Sequence, residues 1–99
     1  MQLIYHPQVR DDLAEAAGFL EEKCTGLGAD FLVEAEKTVR AVADSPLRFR
    51  LLRDGTRRAL LERFPYAVYF DQPGNEVIRI LVITHCARKP GHWCGRRAG

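Results

Sequence analysis

The stretch from Arg57 to Trp93 constrains the fold most, because it contains three short runs of strand-forming residues. The first run, Arg57–Glu62, places two arginines before an Ala-Leu-Leu sequence, and the second, Tyr66–Phe70, alternates in side-chain type. Alternation with a period of two is typical of half-buried strands. The third run, Val77–Thr84, is almost entirely apolar and β-branched, so we predict that both of its faces are covered and that it is the central strand.

Short connections join these runs. Only Glu62–Pro65 separates the first two, and Asp71–Glu76, with Pro73 and Gly74 to turn the chain, separates the second and third. Both lengths suit hairpins, so the three runs predict an antiparallel meander.

The N-terminal half predicts one strand and two helices. Gln2–Tyr5 reads as a short strand, and the apolar spacing after it predicts a helix from about Gln8 to Cys24. Apolar residues then recur at three- and four-residue intervals from Leu27 onwards, and Ser45-Pro46 ends this second helix. The two helices form a hairpin whose apolar stripes need a sheet to cover them.

This order predicts an α+β fold, β-α-α-β-β-β, with the helical hairpin on one face of a mostly antiparallel sheet. The other sheet face is expected to stay open or to recruit a partner. We interpret residues 1–94 as one domain and 95–99 as a flexible tail, and Leu47–Gly55 as a basic connector whose function the pattern does not indicate.

Charge divides the chain into opposite halves. Residues 1–46 carry a net charge of −5 and residues 47–99 a net charge of +7, although the whole chain has only +2. Two solvated faces that attract each other would explain this pattern. The alternative is that the basic half contacts an anionic partner, such as nucleic acid, an enzyme that acts on nucleic acid, or an acidic peptide.

Cofactors and membranes are not indicated. The longest apolar run is far shorter than the roughly 20 residues of a membrane span, so we expect a cytoplasmic protein without membrane contact. His85 and Cys86 point to opposite faces of a strand, which disfavours a zinc site with His92 and Cys94. We expect no metal, no cofactor and no structural disulfide.

Two segments carry a family resemblance: RRALLERFPYAVYF in the middle of the chain and HCARKPGHW near its end. With the element order and the YHP opening, they resemble the RelE/ParE superfamily of bacterial type II toxins, and more closely its ParE-like, plasmid-stabilisation branch. The likeness covers Leu3 to Trp93. It implies a toxin that a cognate, ParD-like antitoxin neutralises in a hetero-oligomer. The antitoxin is expected to contact the helical hairpin, and the candidate contact residues are Leu13, Leu20, Phe31 and Val39.

The superfamily contains two mechanisms. RelE-like members cleave messenger RNA on the ribosome, and ParE-like members resemble them in fold but inhibit DNA gyrase. Metal-independent RNA cleavage needs a general base, a general acid and cations for the developing phosphorane charge. Matched to the RelE-like nucleases, the chain has Leu60 and Ala67 at two positions where those proteins carry cations, and Trp93 near the position of their tyrosine. The candidates for a nuclease set are therefore limited to Arg58, Arg63, His85 and Arg88.

We therefore favour a non-enzymatic gyrase inhibitor that binds its target through Arg58, Arg63, Arg88 and Trp93. The alternatives are a ribosome-dependent endoribonuclease and a degenerate toxin that only binds its antitoxin. Each residue also has a structural interpretation. His85 would cap its strand, Trp93 would anchor the tail, and the arginines would pair with Glu62 and Glu76.

Overall fold

A computed structural model describes residues 2–88 and 93–97 of the chain. The described residues form a five-stranded sheet with a two-helix layer on one face, which confirms the predicted α+β class and element order. The elements are β1 (Gln2–Tyr5), α1 (Val9–Lys23), α2 (Leu27–Asp44), a 3-10 turn (Pro46–Arg48), β2 (Arg50–Leu51), β3 (Arg57–Leu60), β4 (Tyr66–Gly74), β5 (Val77–His85) and α3 (Cys94–Arg97).

The strands lie in the order β1-β5-β4-β3-β2. β1 runs parallel to β5, with Gln2 opposite Val77 and Tyr5 opposite Ile80, and all other neighbours are antiparallel. A parallel pair requires a long crossover, and here the chain passes through the helical hairpin and the strands β2 to β4 between β1 and β5. The meander of β3, β4 and β5 was predicted from the sequence, and the register confirms it.

Three details of the sheet differ from the prediction. The middle strand is β4 instead of β5, and every residue of β4 from Tyr66 to Asp71 is buried. β4 also continues through Pro73 to Gly74, where a register shift tolerates the missing N–H of proline. The basic connector contributes the fifth strand, because Arg50 and Leu51 pair with β3.

The main core lies between the helices and the sheet. Phe31 of α2 is fully buried, and its ring contacts Phe64 at 5.5 Å and Tyr66 at 4.9 Å between ring centroids. The largest side chains of this core with less than 2% solvent exposure are Phe31, Phe70, Ile78, Ile80, Val9, Val42 and Val68. This packing explains the three- and four-residue apolar spacing of both helices.

A second apolar cluster covers the opposite face of the sheet. Trp93 packs on Tyr69 with 4.2 Å between ring centroids, and only 4% of Trp93 is exposed. Ala67, Leu81 and Val82 complete the buried part of this cluster. The expectation of an open sheet face therefore fails in this region, because the C-terminal segment supplies an aromatic side chain that closes it.

The junction of α1 and α2 depends on close backbone contact. Gly26 has a φ of +90°, and the Glu21 carboxylate accepts hydrogen bonds from the N–H groups of Gly26 at 2.8 Å and Gly28 at 2.9 Å. These bonds lower the pKa of Glu21 below its ordinary value. They also satisfy N–H groups at the start of α2 that have no partner within the helix.

Two glycine-to-alanine substitutions are expected to change stability in opposite directions. A Cβ atom at Gly28 would lie 2.5 Å from the Ala17 carbonyl oxygen, so Gly28→Ala must push the helices apart. We expect it to lower the free energy of unfolding by about 1–3 kcal/mol. A Cβ atom at Gly18 meets nothing within 4 Å, and Gly18→Ala should raise the free energy of unfolding by about 0.5–1 kcal/mol. Urea unfolding of both variants measures this, and an equal effect would contradict the close helix contact.

Candidate functional site

A cleft of about 450 Å³ opens between α1 and the last residues of β5. It exists because β1 ends at Tyr5, which pairs with Ile80, and this side of β5 has no neighbouring strand beyond that point. The side chains that line the cleft include Glu15, Phe19, Tyr66, Ile83, His85 and Arg88.

Asp12 and Arg96 occupy one end of the unpaired edge of β5. Arg96 of α3 binds the Asp12 carboxylate of α1 through two contacts of 2.7 and 3.0 Å, and it also donates to the Leu81 carbonyl at 3.0 Å. Asp12 in turn accepts the Ile83 N–H at 3.2 Å. The ion pair therefore holds the C-terminal segment to both α1 and the sheet, and its charges cancel.

His85 and Arg88 both line the cleft. The Nδ1 atom of His85 accepts the Ala87 N–H at 2.9 Å, which leaves Nε2 to carry the proton of the neutral ring. The His85 ring packs against Tyr66 with 5.2 Å between ring centroids. Burial and the charge of Glu15 raise the pKa of the Tyr66 hydroxyl. Arg88 is exposed, and its guanidinium has no ion pair within residues 2–88 and 93–97.

Arg63 lies elsewhere, beside α2. Its backbone N–H and its Nε both donate to the Glu34 carboxylate, at 2.9 and 2.8 Å. Burial would raise the pKa of Glu34, but these hydrogen bonds hold it below the ordinary value. Arg63 lines a different groove, between α2 and β3, with a volume of about 410 Å³. Its partner is therefore a helix residue and not the Glu62 or Glu76 expected from the sequence.

Arg58 lies on the sheet face opposite the helices. It pairs with Tyr69 across β3 and β4, and residues directly opposite in an antiparallel pair share a face. Tyr69 packs on Trp93 on that face. The four candidate nuclease residues are thus dispersed: His85 and Arg88 share the α1–β5 cleft, whereas Arg63 and Arg58 lie in two other places. The structure does not bring them together around one phosphate.

The C-terminal segment is attached to the domain at more points than the sequence indicated. Trp93 is buried, so its side chain is not available on the surface as a target-binding residue. Arg97 binds the buried Asp71 at 3.2 Å and donates to the Asp54 carbonyl. Residues 95–97, expected to form part of a tail, belong to α3. The sequence indicated the attachment through Trp93, because a tryptophan near the end of the chain suits an anchoring role. Nothing in the sequence pattern indicated the contacts of Arg97 with Asp71 and Asp54.

The residues expected to contact an antitoxin belong mainly to the core. Leu20, Phe31 and Val39 are buried beneath the sheet, and Leu13 is half-buried against them. Apolar periodicity identified the inner face of each helix, and that face packs within the domain. The large apolar side chains that stay exposed are Tyr5, Phe19, Leu32, Val33, Leu47, Leu51 and Leu60.

Metal and membrane features are absent from the described parts of the chain. Within residues 2–88 and 93–97, no three His, Cys, Asp or Glu side chains are grouped to hold a metal ion. No helix in these ranges combines the length and apolar character needed to cross a membrane. Cys24 and Cys86 are exposed free thiols, and His92 lies outside the described residues.

Comparison with known proteins agrees with this fold. Among solved structures, the chain is similar to one from the chromosomal ParDE TA system from P. aeruginosa, with a TM-score of 0.73 and 20% identity. The match covers 86% of this chain and 95% of that chain, and at this identity it shows the fold alone. A comparison with curated protein sequences found no match. The family model for the ParE toxin of the type II toxin-antitoxin system parDE matches residues 3–90, so the chain belongs to the ParE toxin family.

Proposed function

We propose that this toxin inhibits DNA gyrase without catalysing a reaction, and that a cognate antitoxin neutralises it. The observation that carries the proposal is the dispersal of Arg58, Arg63 and the His85–Arg88 pair within a ParE-family chain. Metal-independent RNA cleavage needs acid, base and cations around one phosphate. Gyrase inhibition needs a binding surface only, so it is compatible with this dispersed arrangement.

The favoured target-binding surface lies on β2 and β3. Arg50 stands directly opposite Arg58 in the register, and neither side chain has an ion pair within the described residues. Like charges placed directly opposite each other destabilise a sheet. An anionic or strongly polar partner would relieve that repulsion, which supports a contact at this place. Arg63 is already paired, and Trp93 is buried.

The antitoxin surface is proposed to include exposed apolar residues of the helical hairpin, with Phe19 at the cleft beside β5 and Val33 at the groove beside β3. Phe19 is 52% exposed, Leu32 42% and Val33 59%. Side chains of this kind are typical anchors for an amphipathic helix that binds in a groove. The ParDE likeness supports a partner of this kind, because an antitoxin is the second component of such a system.

A supercoiling assay with purified gyrase and ATP tests the target. We expect the toxin to inhibit supercoiling, and an excess of antitoxin to restore it. Arg58→Glu should raise the concentration required for inhibition by about tenfold or more, because it reverses a charge at the proposed contact. Arg40→Glu is the matched control, since Arg40 is an exposed residue of α2 on the other side of the sheet.

Two other results would replace this proposal. Normal gyrase activity with folded toxin, together with message cleavage on ribosomes, would favour the endoribonuclease alternative. Absence of growth arrest on expression, with antitoxin binding retained, would favour a toxin that serves only as a binding module. Equal effects of Arg58→Glu and Arg40→Glu in the supercoiling assay would contradict only the assignment of the target-binding surface to β2 and β3, and gyrase inhibition itself would stand.

A further inference from the structure

We infer that the cleft between α1 and the end of β5 binds a nucleoside monophosphate, with the phosphate at Arg88 and His85 and the base against Phe19. This site goes beyond the proposed function, because it needs neither gyrase nor an antitoxin. The cleft has a volume of about 450 Å³. Small-molecule sites in proteins usually have volumes of about 300–1,000 Å³, so a nucleotide is a suitable size of ligand.

The charged side chains of the cleft lining are only partly paired. Asp12 and Arg96 bind each other and contribute no net charge. Glu15 and Arg88 also line the cleft, but neither forms an ion pair within residues 2–88 and 93–97. In these ranges the lining therefore offers one unpaired carboxylate and one unpaired guanidinium. A ligand with an anionic end and a hydrogen-bond-donating end would satisfy both groups.

The Tyr66 hydroxyl points most directly to a ligand. Tyr66 is only 6% exposed, and its hydroxyl has no hydrogen-bond partner in the described part of the chain. Every fully buried polar side-chain atom of that part has a partner, so this hydroxyl must reach the open space of the cleft that Tyr66 lines. Burial raises the pKa of the hydroxyl, and so does the nearby charge of Glu15. A nearly buried hydroxyl that faces a cavity is a ready hydrogen-bonding group for a ligand.

His85 and Arg88 provide donors for a phosphate. The Nδ1 atom of His85 accepts the Ala87 N–H at 2.9 Å, so the Nε2–H is left to donate to a ligand. The Arg88 backbone N–H donates to the His85 carbonyl at 3.1 Å, and this turn holds the two residues close together. The Tyr66 ring packs against the His85 ring, which brings a third donor to the same part of the cleft. Arginine can bind a phosphate through two parallel hydrogen bonds.

Phe19 and Glu15 suit a purine base. Phe19 lines the cleft and is 52% exposed, while Ala16 and Ile83 are buried parts of the lining. Bases stack on aromatic side chains in protein complexes with nucleic acids. Glu15 lies four positions before Phe19, on the same face of α1, and its carboxylate can accept two N–H groups of a guanine. Guanosine monophosphate therefore matches the groups of the cleft, whereas a small zwitterion such as an amino acid would leave Phe19 without a contact.

Calorimetric titration of the full-length chain with guanosine monophosphate tests the site. Antitoxin is left out, because Phe19 also belongs to the proposed antitoxin surface. We expect a dissociation constant below about 1 mM, and binding about tenfold weaker or less for guanosine and for inorganic phosphate, since each lacks one half of the contacts. Arg88→Gln should also weaken nucleotide binding about tenfold. Arg10→Gln is the matched control, because Arg10 is an exposed residue of α1 that does not line the cleft.

Tyr66→Phe separates ligand binding from a role in the fold. It keeps the buried ring and removes the hydroxyl, so nucleotide binding should weaken about fivefold while the urea concentration at the unfolding midpoint stays equal or rises. A lower midpoint with unchanged affinity would show that the hydroxyl serves the fold, and would overturn the site. Absence of nucleotide binding by folded wild-type toxin, or equal effects of Arg88→Gln and Arg10→Gln, would overturn it as well. Gyrase inhibition and antitoxin binding would stand in each case, because neither requires the nucleotide.

Discussion

Trp93→Ala should lower the free energy of unfolding by about 3–5 kcal/mol, the usual cost of removing a large buried aromatic side chain. Trp93 lies 4.2 Å from the Tyr69 ring and is 4% exposed. Its removal opens the cluster on the sheet face opposite the helices. Leu81, Val82 and Ala67 would then contact solvent or a cavity. Urea unfolding of the whole chain measures the change. It is followed by far-UV circular dichroism, because the variant lacks the tryptophan that a fluorescence signal would need.

Two control variants test whether the loss of stability comes from the burial of Trp93 and not from substitution in general. Trp93→Phe keeps an aromatic ring and should lower the free energy of unfolding clearly less than Trp93→Ala does. Leu47→Ala removes an apolar side chain that is 72% exposed, and its effect should stay within about 0.5 kcal/mol. If Trp93→Ala were as mild as Leu47→Ala, Trp93 would not close this face. With the expected loss, reduced toxicity of a Trp93 variant would reflect instability and would not identify a target contact.

Local patterns predicted most of the fold. The helix spacing, Ser45-Pro46 and the alternating run of β4 are signals that depend on neighbours in the sequence, and they located these elements within a few residues. The middle position of β4 and the addition of β2 depend on which strands pair. The basic connector alternates between arginines and apolar residues from Arg48 to Leu51, but only Arg50 and Leu51 pair with β3, and the alternation alone does not show where such a pairing forms.

The candidate site was harder to predict, because its contacts join distant parts of the chain. Asp12 and Arg96 are 84 positions apart, and Glu34 and Arg63 are 29 apart. No local pattern specifies such pairs, so the sequence offered only Glu62 and Glu76 as partners for the arginines, and residues 95–97 were interpreted as part of a tail. The same limit affected the helices: apolar periodicity finds the stripe that packs inward, so it selected Phe31 and Leu20 and not the exposed Phe19.

Asp71→Asn should lower the free energy of unfolding by about 3 kcal/mol, the lower end of the cost of breaking a buried ion pair. Asp71 is 6% exposed, and its carboxylate binds Arg79 through contacts of 3.0 and 2.8 Å and Arg97 at 3.2 Å. The substitution keeps the shape of the side chain but leaves Arg79, whose side chain is 19% exposed, without its counter-charge. We expect the lower end of this range because the Arg97 side chain is 35% exposed and can be partly hydrated.

Glu36→Gln provides the matched comparison, since it removes one carboxylate charge from the exposed Glu36–Arg40 pair on α2. The two side chains of that pair are 64% and 77% exposed, and its loss should cost no more than about 0.5 kcal/mol. The contrast between the two variants should persist in high salt, because buried pairs are screened much less than exposed ones. Equal effects of Asp71→Asn and Glu36→Gln would mean that the Asp71 contacts do not hold α3 on the sheet. The attachment of the C-terminal segment would then depend on Trp93 and on the Asp12–Arg96 pair.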